Sequence, residues 1–318
     1  MKNNMKQNQE NEQTLFNQAF DAGIRYQEKL EDRNVTPFEE DKRLLNNLNE
    51  PFPTELGNPH RIIQQLEEIG ELNVVTQTGG RYFGFVNGAT FPVGLAARIL
   101  ADFWDQNSAL EVMSPIVSHL ETIVEKWLVN LLGVPEQTAV SFVSGTSMAS
   151  FCGLAAARWK LYNNLGWDLN KKGFNGAPQI KVIMGEDGHA SVIKALHLLG
   201  IGDEQIHKVP CDDQGRIIPS LVPEMDDHTI CVLQAGNVNS GAFDPFEEIC
   251  RKANECGAWV HIDGAFGLWA AGSKRFKQLT EGVNLADSWS VDAHKTLNTP
   301  YDSGILLCKD KEALMNAM

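Results

Sequence analysis

From residue 139 onward, short apolar runs rich in β-branched residues alternate with stretches of helical spacing. The runs are Ala139 to Val143, Ile180 to Met184, Ile206 to Pro210, Thr229 to Ala235, Ala258 to Asp263, Ser288 to Asp292 and Gly304 to Cys308. Such alternation predicts βα units on a mostly parallel, seven-stranded sheet between helices, an α/β body. The N-terminal part has a different period. Between Thr14 and about Asn73 apolar residues fall at helical spacing, with Leu15, Phe16, Ala19 and Phe20 in one stretch and Ile62, Ile63, Leu66 and Ile69 in another. Prolines at 37, 51, 53 and 59 divide this region into separate arms. Residues 1–13 carry almost no apolar side chains to offset the entropy of ordering, which predicts a disordered tip. The expected organisation is a tip over 1–13, a helical arm over 14–75 and a large body over 76–318, with no internal repeat or long linker in the body.

Composition narrows the function classes. A chain of 318 residues with 43% hydrophobic content can bury one large core. A net charge of −14 argues against nucleic acid and anionic membrane as partners, because binding phosphates without sequence preference needs clustered Lys and Arg. No basic-apolar leader begins the chain, and no apolar run approaches the ~18 residues of a membrane span. A cytoplasmic location is expected. The six cysteines are scattered, without a Cys-x-x-Cys pair or histidines at zinc spacing. They are read as buried free thiols, and no metal is expected.

The candidate chemistry lies at three strand ends, where open α/β sheets bind ligands. Ser290-Val291-Asp292-Ala293-His294-Lys295 is an apolar run that stops at an amine. His261-Ile262-Asp263-Gly264-Ala265 ends in a carboxylate, and Val143-Ser144-Gly145-Thr146-Ser147 ends in small donors before the helix carrying Met148 to Ala157. An amine, a carboxylate and a phosphate nest together fit pyridoxal 5′-phosphate. Lys295 would form the Schiff base and Asp263 would keep the pyridine nitrogen protonated. Gly145, Thr146 and Ser147 would hold the phosphate at the helix start. Ala265 is small enough to lie against one face of the ring. Plainer readings stand beside these: a surface lysine after a buried strand, and Asp263 and the Ser/Thr run as ordinary helix caps.

The ordered set of motifs resembles the group II pyridoxal-phosphate decarboxylases, the family of aromatic amino acid, glutamate, histidine and aspartate decarboxylases. The resemblance runs from about Phe52 to the C-terminus. It is carried by Arg81-Tyr82-Phe83-Gly84-Phe85, Ser114-Pro115 with Leu120-Glu121, Ser144-Gly145-Thr146-Ser147, Gly188-His189-Ala190-Ser191, Gly241-Ala242-Phe243-Asp244, His261-Ile262-Asp263-Gly264-Ala265 and Asp292-Ala293-His294-Lys295. It implies the large domain of fold-type I pyridoxal-phosphate enzymes and decarboxylation of an L-amino acid to an amine and CO2. It also implies a homodimer in which the N-terminal arm wraps the partner, although the same arm pattern suits a helical cap on a monomer. By resemblance His189 stacks on the ring and acts with Lys295 and Asp263 in catalysis. Asn237 falls where relatives have a threonine near the cofactor, and His294 either touches the phosphate or shapes the turn. Phe85 and Val86 form an apolar wall of the substrate entrance, near Met113-Ser114-Pro115.

Some positions depart from the family pattern. Met148 replaces an acidic residue, Asp292 an asparagine and Thr296 a tryptophan. Relatives also continue well past the lysine, through a mobile loop bearing a tyrosine and a small C-terminal domain, whereas this sequence stops at Met318. The expectation is therefore a fragment or a truncated reading frame that binds cofactor with little or no turnover. Aminotransferase or Cα–Cβ lyase chemistry, and a noncatalytic remnant, are the alternatives.

Overall fold

The computed structural model describes residues 2–318, with side chains from residue 11 on. The chain divides into two compact units, Met1–Ala89 and Thr90–Met318.

The first unit contains α1 (Lys2–Glu28), α2 (Glu39–Lys42), α3 (Pro59–Gln65) and α4 (Glu71–Asn73). The tip expected to be disordered is helical from Lys2, as its Lys, Gln and Glu residues favour, and its side chains to residue 10 lie outside the described residues. Helix α3 starts where the sequence dictates: Asn58 accepts from the amides of His60 (3.0 Å) and Arg61 (3.3 Å), and Pro59 needs no amide partner. Arg25 of α1 pairs with Glu67 at 2.6 Å. The unit buries little, since Ile69 and Thr76 are its buried side chains among the described residues. Residues 76–89, expected in the large body, pack here instead. The amide of Thr76 donates to the Val35 carbonyl (2.9 Å) and its hydroxyl to that of Asn34 (2.7 Å), while Arg81 donates to the carbonyls of Glu31 and Arg33. Apolar periodicity cannot reveal such ties between side chain and backbone.

The second unit holds strands β1 (Ala139–Val143), β2 (Lys181–Gly185), β3 (Ile206–Val209), β4 (Thr229–Gln234), β5 (Trp259–Asp263), β6 (Ser288–Asp292) and β7 (Gly304–Cys308). They form one sheet in the order β1-β7-β6-β5-β4-β2-β3. Strand β7 runs antiparallel to both its neighbours, β1 and β6, and the remaining pairings are parallel. Helices α5 (Pro92–Trp104), α6 (Pro115–Leu132), α7 (Thr146–Asn164), α8 (Leu169–Lys172), α9 (Ala190–Leu198), α10 (Phe246–Glu255), α11 (Ala293–Thr296) and α12 (Lys311–Ala317) complete the unit.

Strand alternation sends successive residues to two cores. Ile183, Cys231, Val260, Ile262, Trp289 and Val291 join α6 and α10. Val182, Met184, Ile230, Trp259 and Leu306 join α7, α9 and α12. A sheet covered on both faces explains the continuous apolar runs. It also places His261 and Asp263, two and four residues beyond Trp259, on the α7 side, together with Ser288, Ser290 and Asp292. Helix α7 approaches closely because its buried positions are mostly small: Ala149, Ser150, Cys152, Gly153, Ala155, Ala156 and Ala157. A Cβ at Gly153 would lie 2.9 Å from His261 Cε1.

Candidate active site

Strands β5 and β6 are parallel neighbours, so their carboxyl ends emerge side by side. Asp263 ends β5 and is 5% exposed. Its Oδ1 accepts from the amide of Ala265 at 3.2 Å. Burial pushes the Asp263 carboxyl above the usual carboxylate range, against the pull of the Ala265 amide, His189 and Lys295, while Asp292 pushes it further up. A carboxylate in that setting gains most from a cationic N–H partner, which a protonated pyridine nitrogen supplies.

At the end of β6 the side chain of Asp292 is nearly inaccessible to water. Its Oδ2 lies 3.0 Å from Lys295 Nζ in α11. Its Oδ1 accepts from the amide of Thr146 at 2.6 Å, and His294 Nε2 lies 3.5 Å from the same oxygen. His294 is fixed by its own turn: Nδ1 accepts from the Ser303 amide at 3.0 Å, and the ring stacks on Tyr301 with centroids 4.2 Å apart. An accepting Nδ1 in the neutral ring assigns the proton to Nε2, facing Asp292.

The start of α7 is built for close approach. A Cβ at Gly304 of β7 would lie 2.3 Å from Gly145 Cα, so only glycine lets β7 pass the cap of α7. Thr146 is buried, and its Oγ1 has no hydrogen-bond partner among the described residues. A buried hydroxyl left without a partner costs about 1–3 kcal/mol, which an incoming acceptor would recover. Ser147 is exposed beside it. This orphaned donor, the exposed serine and the Lys295 amine fit a ligand carrying both a phosphate and an aldehyde.

His189 caps α9, accepting at Nδ1 from the Ser191 amide at 3.3 Å with Ser191 Oγ 2.7 Å away. It lines a cavity past the ends of β2 and β4 with Asp263, Gly188, Gln234 and Asp244. Direct contacts thus gather Gly145, Thr146, Asp292, His294 and Lys295; the cavity joins His189 to Asp263, and Ala265 bonds Asp263 through its amide. Asn237 uses its Oδ1 within its own loop, accepting from the amides of Asn239 (2.9 Å) and Ser240 (3.3 Å). Phe85 and Val86 belong to the first unit, where both adopt left-handed backbone with φ of 55° and 56°.

Two carboxylates were not singled out as site residues by sequence reasoning. Asp292 was noted only as a departure, although its position three residues before Lys295, on the face of Ser288 and Ser290, was a usable signal. Asp244 is buried and pushed up to about 6 by desolvation, against backbone bonds from Ile217 and Gln234. Those bonds, 2.8 and 2.7 Å, tie the end of β4 to the neighbouring loop.

A strand-end lysine beside a buried carboxylate and a helix start with an unpartnered donor fit a site of the pyridoxal-phosphate type. Residues 42–318 match the family described as the pyridoxal-dependent decarboxylase conserved domain. The chain belongs to this family, and its cofactor is pyridoxal 5′-phosphate. It is 29% identical to an aromatic-L-amino-acid decarboxylase of Bacillus atrophaeus over 99% of this chain and 65% of that protein. It is 28% identical to an L-2,4-diaminobutyrate decarboxylase of Acinetobacter baumannii over 66% of this chain and 43% of the relative. The chain thus spans less than two thirds of the length of these curated relatives. Among solved structures, mouse CSAD superposes with a TM-score of 0.85 at 22% identity, covering 96% of this chain and 65% of that one. Oryza sativa TDC with pyridoxal phosphate and tryptamine also gives 0.85 at 22%, covering 96% and 68%. At this identity the likeness shows the fold, the α/β architecture of fold-type I.

Proposed function

We propose that this chain forms the cofactor-binding part of an enzyme that decarboxylates an L-amino acid to the amine and CO2. The observation that carries the reading is the juxtaposition of Lys295, Asp292 and the Thr146 amide beside the buried carboxylate of Asp263. Bound pyridoxal phosphate supplies an aldehyde for a lysine and a ring that takes up the electron pair left at Cα when CO2 departs. Lys295 provides the attaching amine. Asp263 would hold the proton on the ring nitrogen, and His189 and the small side chain of Ala265 would be the residues that accommodate the ring. Gly145, Thr146 and Ser147 take the phosphate, with His294 beside them. Asn237 contributes by shaping the loop after β4.

The substrate class is an amino acid, supported by the aromatic and diaminobutyrate activities named for the relatives. A cytoplasmic homodimer is the assembly proposed. Its support is the apolar surface of the two units, Phe20 and Ile24 on α1 and Val93, Leu100 and Trp104 on α5, all of them exposed. No described helix is long and apolar enough to cross a membrane.

The test is the absorption spectrum of the purified chain with pyridoxal phosphate, before and after Lys295→Ala. A band near ~420 nm that vanishes in the variant is expected for a cofactor held on that lysine. No band in either protein, or one that survives the substitution, sinks the assignment. Release of an amine with CO2 rather than a keto acid separates decarboxylation from transamination.

A further inference from the structure

We infer that Asp292 is a positioning residue that parks Lys295, holding its ammonium against the start of α7 until the lysine is drawn to an aldehyde. The inference deepens the proposed cofactor site and rests on that reading for its purpose, though not for its geometry. Asp292 divides its two oxygens between two partners. Oδ2 takes the ammonium of Lys295 at 3.0 Å, and Oδ1 takes the Thr146 amide at 2.6 Å. The carboxylate is therefore anchored at one end by backbone of another element and leaves its other end to a side chain that can move. Access to solvent is uneven: Asp292 is 4% exposed at its side chain and Lys295 21%.

The charges around the pair favour this division of labour. Asp263 from β5 is a second negative group near Asp292, and the charge on Asp292 raises the cost of ionising Asp263. His294 from α11 turns Nε2 toward Asp292, and α7 contributes the Thr146 amide. With Lys295 on Asp292, the buried carboxylate has a cation and a backbone donor, as a desolvated charge requires. An ammonium so held has no lone pair, and the lone pair is what attacks a carbonyl. Parking thus keeps Lys295 ordered and close to the site at the expense of its reactivity. The Thr146 amide is already used by Asp292, so a phosphate arriving at α7 must bond other donors there. The unpartnered Thr146 Oγ1 is one of them.

The test reads the amine without any cofactor. The full chain is treated with trace N-hydroxysuccinimidyl acetate. The Nζ lone pair bonds to the acyl carbon, N-hydroxysuccinimide leaves, and the amine proton passes to buffer. Mass spectrometry then gives the acetylation rate of Lys295 relative to exposed Lys171. In Asp292→Asn the side-chain oxygen can still accept from Thr146, while the hold on the ammonium is lost. The Lys295 to Lys171 ratio is expected to rise about tenfold, the scale of one charged hydrogen bond. Circular dichroism establishes folding, and Asp292→Ser takes the place of the amide variant if that one unfolds. An unchanged or lowered ratio in a folded variant overturns the inference. A raised ratio without any Lys295-dependent band in pyridoxal phosphate leaves the parking role standing and removes the cofactor site. A Lys295-dependent band with an unchanged ratio does the reverse.

Discussion

Thr146, Asp263 and Asp292 lie one layer above a second polar set on the same elements: Ser150 one turn along α7, His261 two residues back on β5, and Ser288 and Ser290 on β6. The lower layer is closed. Trp259 Nε1 donates to Ser288 Oγ at 3.0 Å, and His261 Nδ1 lies 2.8 Å from the same oxygen. His261 Nε2 reaches Ser290 Oγ at 3.4 Å, and Ser290 Oγ reaches Ser150 Oγ at 2.9 Å. Burial drives the His261 pKa down to about 3, so the ring is neutral and joins two strands and a helix without a charge. The upper layer is open. It carries two carboxylates, a partly exposed ammonium and the unpartnered Thr146 hydroxyl. One repeat of the strand thus separates a layer that holds the scaffold from a layer with bonding capacity left for a ligand.

Removing the lower layer's centre should have the largest effect. His261→Ala removes one partner from each of the Ser288 and Ser290 hydroxyls and opens a cavity beside them, and a loss of about 3 kcal/mol in unfolding free energy by denaturant titration is expected. A loss under about 1 kcal/mol would mean that this layer is not the scaffold. The same residue sets a pH dependence. Its pKa is lower folded, about 3, than the usual 6.5, so the stability it contributes is full above pH 6.5 and is lost as pH falls toward 3. Asp244 and Asp263, raised by burial, act in the opposite sense, favouring the fold as pH falls. The informative quantity is therefore wild type minus His261→Asn, which should shrink by about 2–3 kcal/mol between pH 6.5 and 4.5.

The upper layer should respond in binding rather than stability. Asp263→Asn replaces a buried carboxylate by an isosteric neutral group. Cofactor Kd by absorbance titration is expected to weaken about 30-fold while thermal stability holds or rises. A drop in stability with unchanged affinity would move Asp263 into the scaffold. The smallest effect belongs to Thr146→Val, which deletes the orphaned hydroxyl at constant shape. Stability should rise by about 1 kcal/mol while phosphate-dependent affinity falls about fivefold, measured with pyridoxal phosphate against pyridoxal.

Much of the body was legible because its signals are local. The seven expected runs coincide with β1 to β7 to within a residue or two, since central strands covered on both faces read as short runs rich in apolar residues. Lys295 and Asp263 were legible as polar stops at the ends of such runs. The expected disordered tip was not borne out in the backbone of α1, where helix-forming polar residues continue the winding. The place of residues 76–89 was illegible because Thr76 and Arg81 are tied to carbonyls of the 31–35 segment, which leaves no apolar pattern. Asn237 carried a family position but not the sign that its amide oxygen closes its own loop.

The sequence alone determined where chain direction changes, which residues are apolar and which polar groups sit at strand ends, because these follow from side-chain type and a period of two or 3.6. Tertiary structure decided what those polar groups do. Thr146 and Asp292 are 146 residues apart and meet at 2.6 Å only because β7 passes the Gly145 cap at glycine contact and β6 lies beside it. Hydrogen bonding and desolvation depend on distances between groups far apart along the chain. Whether a strand-end aspartate is a cap, a scaffold bond or a holder of the lysine is therefore settled when the sheet closes around it.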